Sequence, residues 1–482
     1  MNFFKSFLQG FLIALVVIFI LNLFQKPSNN EKKIEKIESK QILVNSQISK
    51  KTLVIDTKNY KVALDPKGAK ITSFFIKKYK VDLINKKFPN YPFELYTLNK
   101  SFDELINNMD FICKKEVKEK VTSVKCVTLV GNKTYYKKFT FNPDYTINFE
   151  TNLKQAYVLF PQLPKNLNEN RGHLGPILKI DKKVLRIDPE DIKGLEKYFF
   201  VHWGGQDSKY FLLALNPLSD TTDAIVGKHK TFSYVLEKPK NNSIVFAGPK
   251  FYTLLEKYNM EEAIDFGFFG GLAKLLLKFF LFLHKYIPDW GLSIIIFTIL
   301  IRILLTPLVY KSYVGMKNMQ KLAPKIQEIQ KKYSSDPMKM QQEMIKVYKE
   351  IGANPMSGCL PILLQIPIFF ALYELFYNAV ELKGARFLWI PDLASKDPYF
   401  ILPILFGLSM LFSSKLMPGM GQSQQDQMSK NINYIMAFVF TLLFATFPAG
   451  LVLYWVVNNY VNILQNILIE KFLEAKEKKK LS

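Results

Sequence analysis

Arginine is nearly absent from this chain of 482 residues: Lys and Arg together number 65, and only Arg171, Arg186, Arg302 and Arg386 are arginine. Lysine is the default cation, so each arginine is a departure that needs a reason. Histidine is equally scarce, and His173, His202, His229 and His284 lie too far apart for a zinc-protease or triad pattern. Three cysteines, Cys113, Cys126 and Cys359, lack metal-ligand spacing. There is no ATP-binding motif either. Metal, nucleophile and nucleotide chemistry therefore have no foothold: no catalytic residue, metal ligand or cofactor is expected, and the chain does not read as an enzyme. Acidic residues are outnumbered, 41 against 65, for a formal charge of +24. Such an excess can mark nucleic-acid binding. Here the lysines are spread out, with no zinc, RRM or helix-turn-helix pattern beside them, so DNA is not an expected partner.

The length divides into roughly three domain-sized units. Overall, 49% apolar and 22% charged residues would suit a soluble protein, but their distribution is uneven. The C-terminal half holds several near-uncharged apolar stretches, and most of the middle is Lys-rich and polar. A purely soluble enzyme, a disordered tail and a disulfide scaffold are all disfavoured.

Residues 7–24 form an uncharged run of 18, just long enough to cross about 30 Å of hydrocarbon. A cleaved signal peptide is the alternative, but Gln25, Lys26 and Pro27 follow instead of a small-x-small site, which favours an uncleaved signal-anchor over 1–26. Residues 27–50 are polar and read as a tether. From 51 to 265 the texture is of short alternating strands with turns between them, as in YKVALDP-KGAK-ITSFFIKKY and KTYYKKFTFNPDYTINFE. This predicts a β-rich soluble domain. Cys113 and Cys126 face each other if a hairpin turns near 118–120; either a disulfide or two buried free thiols would fit.

Residues 266–482 carry the remaining apolar segments. GLAKLLLKFFLFLHKYIPDW sets Lys274, Lys278 and Lys285 on one helical stripe, which predicts an amphipathic helix over 268–287 lying on a membrane surface. Spans are expected at 291–310, 359–380, 399–416, 432–447 and 451–469, making six with the anchor. Nine lysines between the second and third spans, and the basic tail 470–482, place both segments and both termini in the cytoplasm. Residues 27–287 then lie outside, in the periplasm of a two-membrane bacterium. Within the cytoplasmic loop, Leu322, Ile326, Ile329 and Tyr333, then Met340, Met344, Val347 and Ile351, repeat at 4-3-4 spacing. A helical hairpin over 318–352 follows, its second helix starting at Asp336-Pro337, as either a recruiting arm or a spacer.

Polar residues inside the spans are the informative ones. Thr298, Arg302 and Thr306 recur every four residues and share one face of the second span. Arginine at a helix centre costs about 2.5–3.5 kcal/mol on insertion scales, so it must face protein or water. No Asp or Glu lies deep within a span to neutralise it. The third span carries Gln365, Phe369, Tyr373 and Tyr377 on a stripe, and the sixth carries Tyr454, Asn458 and Asn462. These polar groups fall in the central to cytoplasmic half of the membrane, while the outer halves read as almost purely apolar. A solute transporter would need polar groups throughout its thickness and repeated broken helices.

Together these segments resemble the YidC family of membrane protein insertases. The resemblance covers about 245–470 through FAGPKFYTLLEKY, GLSIIIFTILIRILLTPL, NPMSGCLPILLQIPIFFALYELF, DPYFILPILFGLSM and FPAGLVLYWVVNN. YKVALDPKGAKITSF and HWGGQDSKYFLLAL resemble the periplasmic domain of its Gram-negative branch. The resemblance implies a periplasmic β-sandwich, five core spans and a hydrophilic groove lined by Arg302, Thr298, Phe369, Tyr454 and Trp455. Thr306 stands where the family often has an aromatic. The residues expected at the groove are therefore Arg302, Thr298, Thr306, Gln365, Phe369, Tyr454, Trp455 and Asn458. Implied partners are nascent membrane proteins, the Sec translocon, the lipid bilayer and, through the basic tail, the ribosome. The expected function is insertion and folding of inner-membrane proteins. The rival readings are a small-solute transporter and a periplasmic binding module on a multi-span anchor.

Overall fold

The computed structural model describes residues 52–165, 167, 169, 172–218, 220–350, 360–416 and 427–481, plus the backbone of a short strand at Glu35–Ile37. The expected anchor over residues 1–26 and the rest of the tether lie outside the described residues, as do Arg171, Ile351 and Cys359.

Two antiparallel sheets build the N-terminal domain. The smaller runs Leu53–Asp56, Tyr60–Asp65, Lys70–Ile76, Val81–Asp82 in spatial order. Alternation explains its face: Tyr60, Val62 and Leu64 are buried while Lys61 between them is exposed. The larger sheet has 14 strands. Its main path begins Leu95–Tyr96, Tyr157–Pro161, Phe232–Glu237, Thr222–His229, Leu195–Asp207. It continues through Phe211–Asn216, Ile244–Pro249, Thr146–Thr151, Lys133–Phe141, Val121–Val130 and Ile112–Lys118. The Phe93 ring meets Phe160 from one half of this path and Phe139 and Phe149 from the other, at 5.1–6.2 Å between centroids. The sheet thus curls over one shared apolar core. Strands Ile112–Lys118 and Val121–Val130 pair so that Cys113 faces Cys126, and a disulfide joins them.

Helix α1 (Lys100–Asn108) lies within this domain and α2 (Tyr252–Lys257) leads out of it. The remaining helices are α3 (Gly270–Tyr286), α4 (Trp290–Lys321), α5 (Ala323–Lys332), α6 (Pro337–Glu350), α7 (Leu360–Asn378), α8 (Ile401–Leu416), α9 (Gln427–Phe444) and α10 (Ala449–Leu481). Among the described residues one helix, Trp290–Gly315, is long and apolar enough to cross a membrane, and Ile401–Ser413 and Tyr434–Phe444 are shorter apolar helices.

Helix α3 departs from the expected two-sided pattern. Ala273, Leu276, Leu277, Phe280 and Leu283 are buried, yet Leu275, Phe282 and Tyr286 are exposed beside Lys278 and Lys285. One apolar stripe packs inward, with Phe280 stacked on Phe297 of α4 at 4.0 Å, and a second faces outward. The hairpin helices α5 and α6 meet at Leu322 and Val347, flanked by Ile326, Ile329 and Tyr348. Tyr348, not the methionines, supplies the second contact from α6. Asp336 starts α6 as expected, accepting the Lys339 N–H at 3.0 Å. The tail 470–482, expected as a basic tail, continues α10 as helix as far as Leu481. Lys317 pairs with Glu477 at 3.6 Å, and Tyr310 meets Phe472, so the tail lies along the C-terminal part of α4. Gly407 lets α8 approach α9, because a Cβ there would collide with Thr441 Oγ1.

The sheet domain grips the end of α7 and the loop after it. Tyr79 OH donates to the Val380 carbonyl at 3.1 Å, Tyr210 OH to that of Tyr377 at 3.3 Å, and the Tyr252 N–H to Glu381 Oε1 at 2.8 Å. Lys383 reaches back to the Leu167 carbonyl at 3.1 Å, and Lys209 lies over the Tyr377 ring at 3.5 Å. Burial pushes the Glu381 carboxyl up and the Lys209 amine down to about 8.

Candidate functional site

The four-residue periodicity of α4 places Thr298, Arg302 and Thr306 on the face that meets α10. There Arg302 Nε donates to Asn458 Oδ1 at 2.7 Å and its Nη1 to Asn462 Oδ1 at 3.0 Å. Among the described residues no carboxylate lies within ion-pair distance of this guanidinium, and only two of its five N–H groups have partners. Gln465 Nε2 donates to the Arg302 carbonyl and to Thr306 Oγ1, each at 2.9 Å, and Thr306 Oγ1 donates to the same carbonyl at 3.0 Å. Pro307 lies inside α4 and has no N–H for the Ile303 carbonyl one turn back. Side-chain donors from Thr306 and α10 thus reinforce the backbone next to the break.

The polar residues are packed together. Thr298, Tyr454 and Asn458 are buried and Arg302 is 8% exposed, while Thr306, Gln365, Phe369, Trp455 and Asn462 are half-buried. Thr298 bonds back to the Ile294 carbonyl at 2.7 Å and, among the described residues, offers its hydroxyl to no other element. Gln365 Nε2 donates to Tyr454 OH at 3.0 Å, joining α7 to α10. Phe369 packs on Trp455 at 5.6 Å, and Trp455 on Phe406 and Phe444 at 6.0 and 5.8 Å. The Trp455 indole N–H is buried without a partner among the described residues. All eight expected residues therefore fall in one neighbourhood: a cation held by neutral amides and, beside it, an aromatic wall.

Asn462 and Gln465 join the site beyond the eight expected residues, and Asn462 shares the Tyr454–Asn458 stripe at the same spacing. The C-terminal half of α7 is also less apolar than expected. Glu374 lies there, accepting from Asn378 Nδ2 at 3.0 Å, and Asn378 also donates to the Asp265 carbonyl at 2.6 Å.

A second buried charge cluster lies in the sheet domain. Asp207 meets Lys250 at 2.6 Å, His173 at 3.4 Å and Arg186 at 3.5 Å. Burial alone would raise its pKa, but Lys250, then His173 and Arg186, outweigh it and hold the carboxyl below the usual range. Arg186 also donates to the Ala263 carbonyl at 3.0 Å and pairs with Asp265 at 3.7 Å. The cluster fastens the segment that leads from the domain into α3. No group of three or more potential metal ligands occurs among the described residues.

Known proteins match along the same division. The family described as YidC periplasmic domain matches residues 52–279, and that described as 60Kd inner membrane protein matches 282–478. The membrane protein insertase YidC of Aquifex aeolicus is 37% identical over 99% of this chain and 98% of its own length. The corresponding protein of Campylobacter jejuni is 34% identical over 89% of this chain and 84% of its own. A crystal structure of an active YidC insertase aligns over 94% of this chain and 97% of its own at 22% identity and a TM-score of 0.40, too weak a likeness to bear on residue positions. With its sheet domain, its helical region and near-full-length relatives, the chain belongs to the YidC family of inner-membrane protein insertases.

Proposed function

We propose that this protein inserts nascent membrane proteins by receiving a polar or acidic flank at Arg302 and passing the adjoining apolar segment to lipid along the aromatic wall. The observation that carries this reading is the partnering of Arg302 by two neutral amides, which leaves a full positive charge beside half-buried surface. A cation in a low-dielectric surround lowers the cost of bringing a carboxylate into the bilayer. Its unpartnered N–H groups and the Trp455 N–H are among the site's donors that have no partner among the described residues. Thr306, Gln365 and Asn462 form its accessible rim, and Phe369 lies beside the apolar path. No bond is made or broken, so the protein works as a chaperone and not as an enzyme. Transfer of an apolar helix into lipid, at about 25 cal/mol per Å² buried, supplies the driving force.

The topology in this reading has six transmembrane helices, the first over residues 7–24. Both termini are cytoplasmic and residues 27–287 periplasmic, with the sheet domain a large β-sandwich. A disulfide between Cys113 and Cys126 fits an oxidising compartment. The outward Leu275, Phe282 and Tyr286 of α3 suit a lipid interface. The Sec translocon is the partner for longer substrates, and the end of α10, with Lys478–Lys480, is the candidate ribosome contact. Deleting residues 55–260, the obvious test against a binding-module reading, would also remove the grip on Tyr377 and Glu381, so point substitution in the site is cleaner.

The test is insertion into vesicles of matched single-span substrates that differ only in translocated-tail charge. Arg302→Ala should weaken acidic-tailed substrates most, and Arg302→Glu should be worse. Equal loss for acidic and neutral tails would instead make Arg302 a bolt between α4 and α10.

A further inference from the structure

Arg302 has partners of an unusual kind. A buried guanidinium is ordinarily matched by carboxylates, which satisfy its donors and cancel its charge together. Asn458 and Asn462 separate these two jobs. Each presents an amide oxygen, at 2.7 and 3.0 Å, that fixes the plane of the guanidinium and leaves its charge intact. They stand four residues apart on one face of α10, so the same helix that packs against α4 supplies both acceptors in register. Asn459, between them, points elsewhere and donates to Ser409 on α8 at 2.9 Å, which shows that the pair is set by helical phase and not by a general asparagine-rich surface.

We propose that Asn458 and Asn462 are positioning residues that determine the tail-charge preference of the site, by holding Arg302 in place without neutralising it. This rests on the insertase reading above and deepens it. An aspartate at either position has nearly the same shape and keeps the acceptor oxygen, so the hold on Arg302 survives or strengthens while its charge is cancelled. A role confined to packing would tolerate that change equally for every substrate. A role in setting charge would not.

The experiment compares Asn462→Asp, Asn458→Asp and, as a control for added charge on the same helix, Asn459→Asp. Full-length protein in vesicles is given matched substrates with acidic and neutral tails. The ratio of acidic-tail to neutral-tail insertion should fall about tenfold in N462D and N458D, a change of about 1.4 kcal/mol, and less than about twofold in N459D, consistent with electrostatic fall-off and solvent screening away from the guanidinium. An unmoved ratio in both aspartate variants overturns the inference, and so does equal loss of both substrates, which would mark the asparagines as packing alone. Wild-type vesicles that insert neither substrate would count against the insertase reading itself. Wild-type insertion with a ratio that N462D and N458D leave alone would count against this inference only.

Discussion

Arg186 and Arg302 are both largely buried arginines in a chain whose cations are nearly all lysine, yet their surroundings are opposite. Arg186 sits among Asp207, Asp265 and the carbonyl of Ala263, with Lys250 sharing Asp207. Its charge is cancelled and its fork of donors joins two parts of the chain that lysine's single ammonium could not span. Among the described residues, Arg302 donates only to amide oxygens. The same side chain is thus a fastener where carboxylates surround it and a fixed positive charge where they are missing. What distinguishes the two is the charge of the partners, since Arg186 is 19% and Arg302 8% exposed and both are hydrogen-bonded.

Removing the shared carboxylate tests the fastener most severely. Asp207→Ala leaves the buried Lys250 without its counter-charge and Arg186 with Asp265 alone, and should destabilise the sheet domain by about 3–5 kcal/mol, read as a lowered denaturant midpoint of the full chain in detergent. The acidic-to-neutral insertion ratio should not follow it; if it does, the two arginines are not independent. The same carboxylate carries a pH signature. Its folded pKa is depressed, so its contribution is fully present above the unfolded value of about 3.9 and is lost as pH falls through the folded value. The midpoint should therefore fall on acidification below about pH 4, and Asp207→Asn should flatten that part of the profile.

Lysine substitution sharpens the contrast at intermediate size. Arg186→Lys should cost about 1.5–3 kcal/mol, because one ammonium cannot serve a carbonyl and two carboxylates together. Arg302→Lys should retain part of the preference for acidic tails, since the charge remains while the fork is lost. Equal and small stability losses at both positions would erase the distinction between the two arginines. The smallest effect belongs to Thr306→Val, which removes one hydroxyl shared with Gln465. Hydrogen bonds between membrane helices average about 0.6 kcal/mol, so stability should barely move and the tail-charge ratio should stay put.

Much of this arrangement is legible in the chain itself. Alternation along Tyr60–Asp65 and Lys70–Ile76 announces strands and the turn between them, and Asp336-Pro337 announces a helix start. The i, i+4 stripes Thr298–Arg302–Thr306 and Tyr454–Asn458–Asn462 reveal two polar helix faces because helical phase is a local property. What stays hidden is which stripe meets which. Nothing local says that Asn462 rather than Gln365 accepts from Arg302, or that Tyr348 rather than Met344 closes the hairpin. The course of the tail along α4 also depends on Glu477 finding Lys317, some 160 residues away in the chain.

The sequence by itself determined the helices, the strands, the scarcity of arginine and the polar stripe that carries Arg302, because composition and periodicity act over a few turns of backbone. Only the tertiary structure decided that one arginine would be cancelled and another left charged. That outcome depends on packing between elements far apart in the chain, where a carboxylate or an amide is brought within about 3 Å and the choice between them sets the net charge of the site.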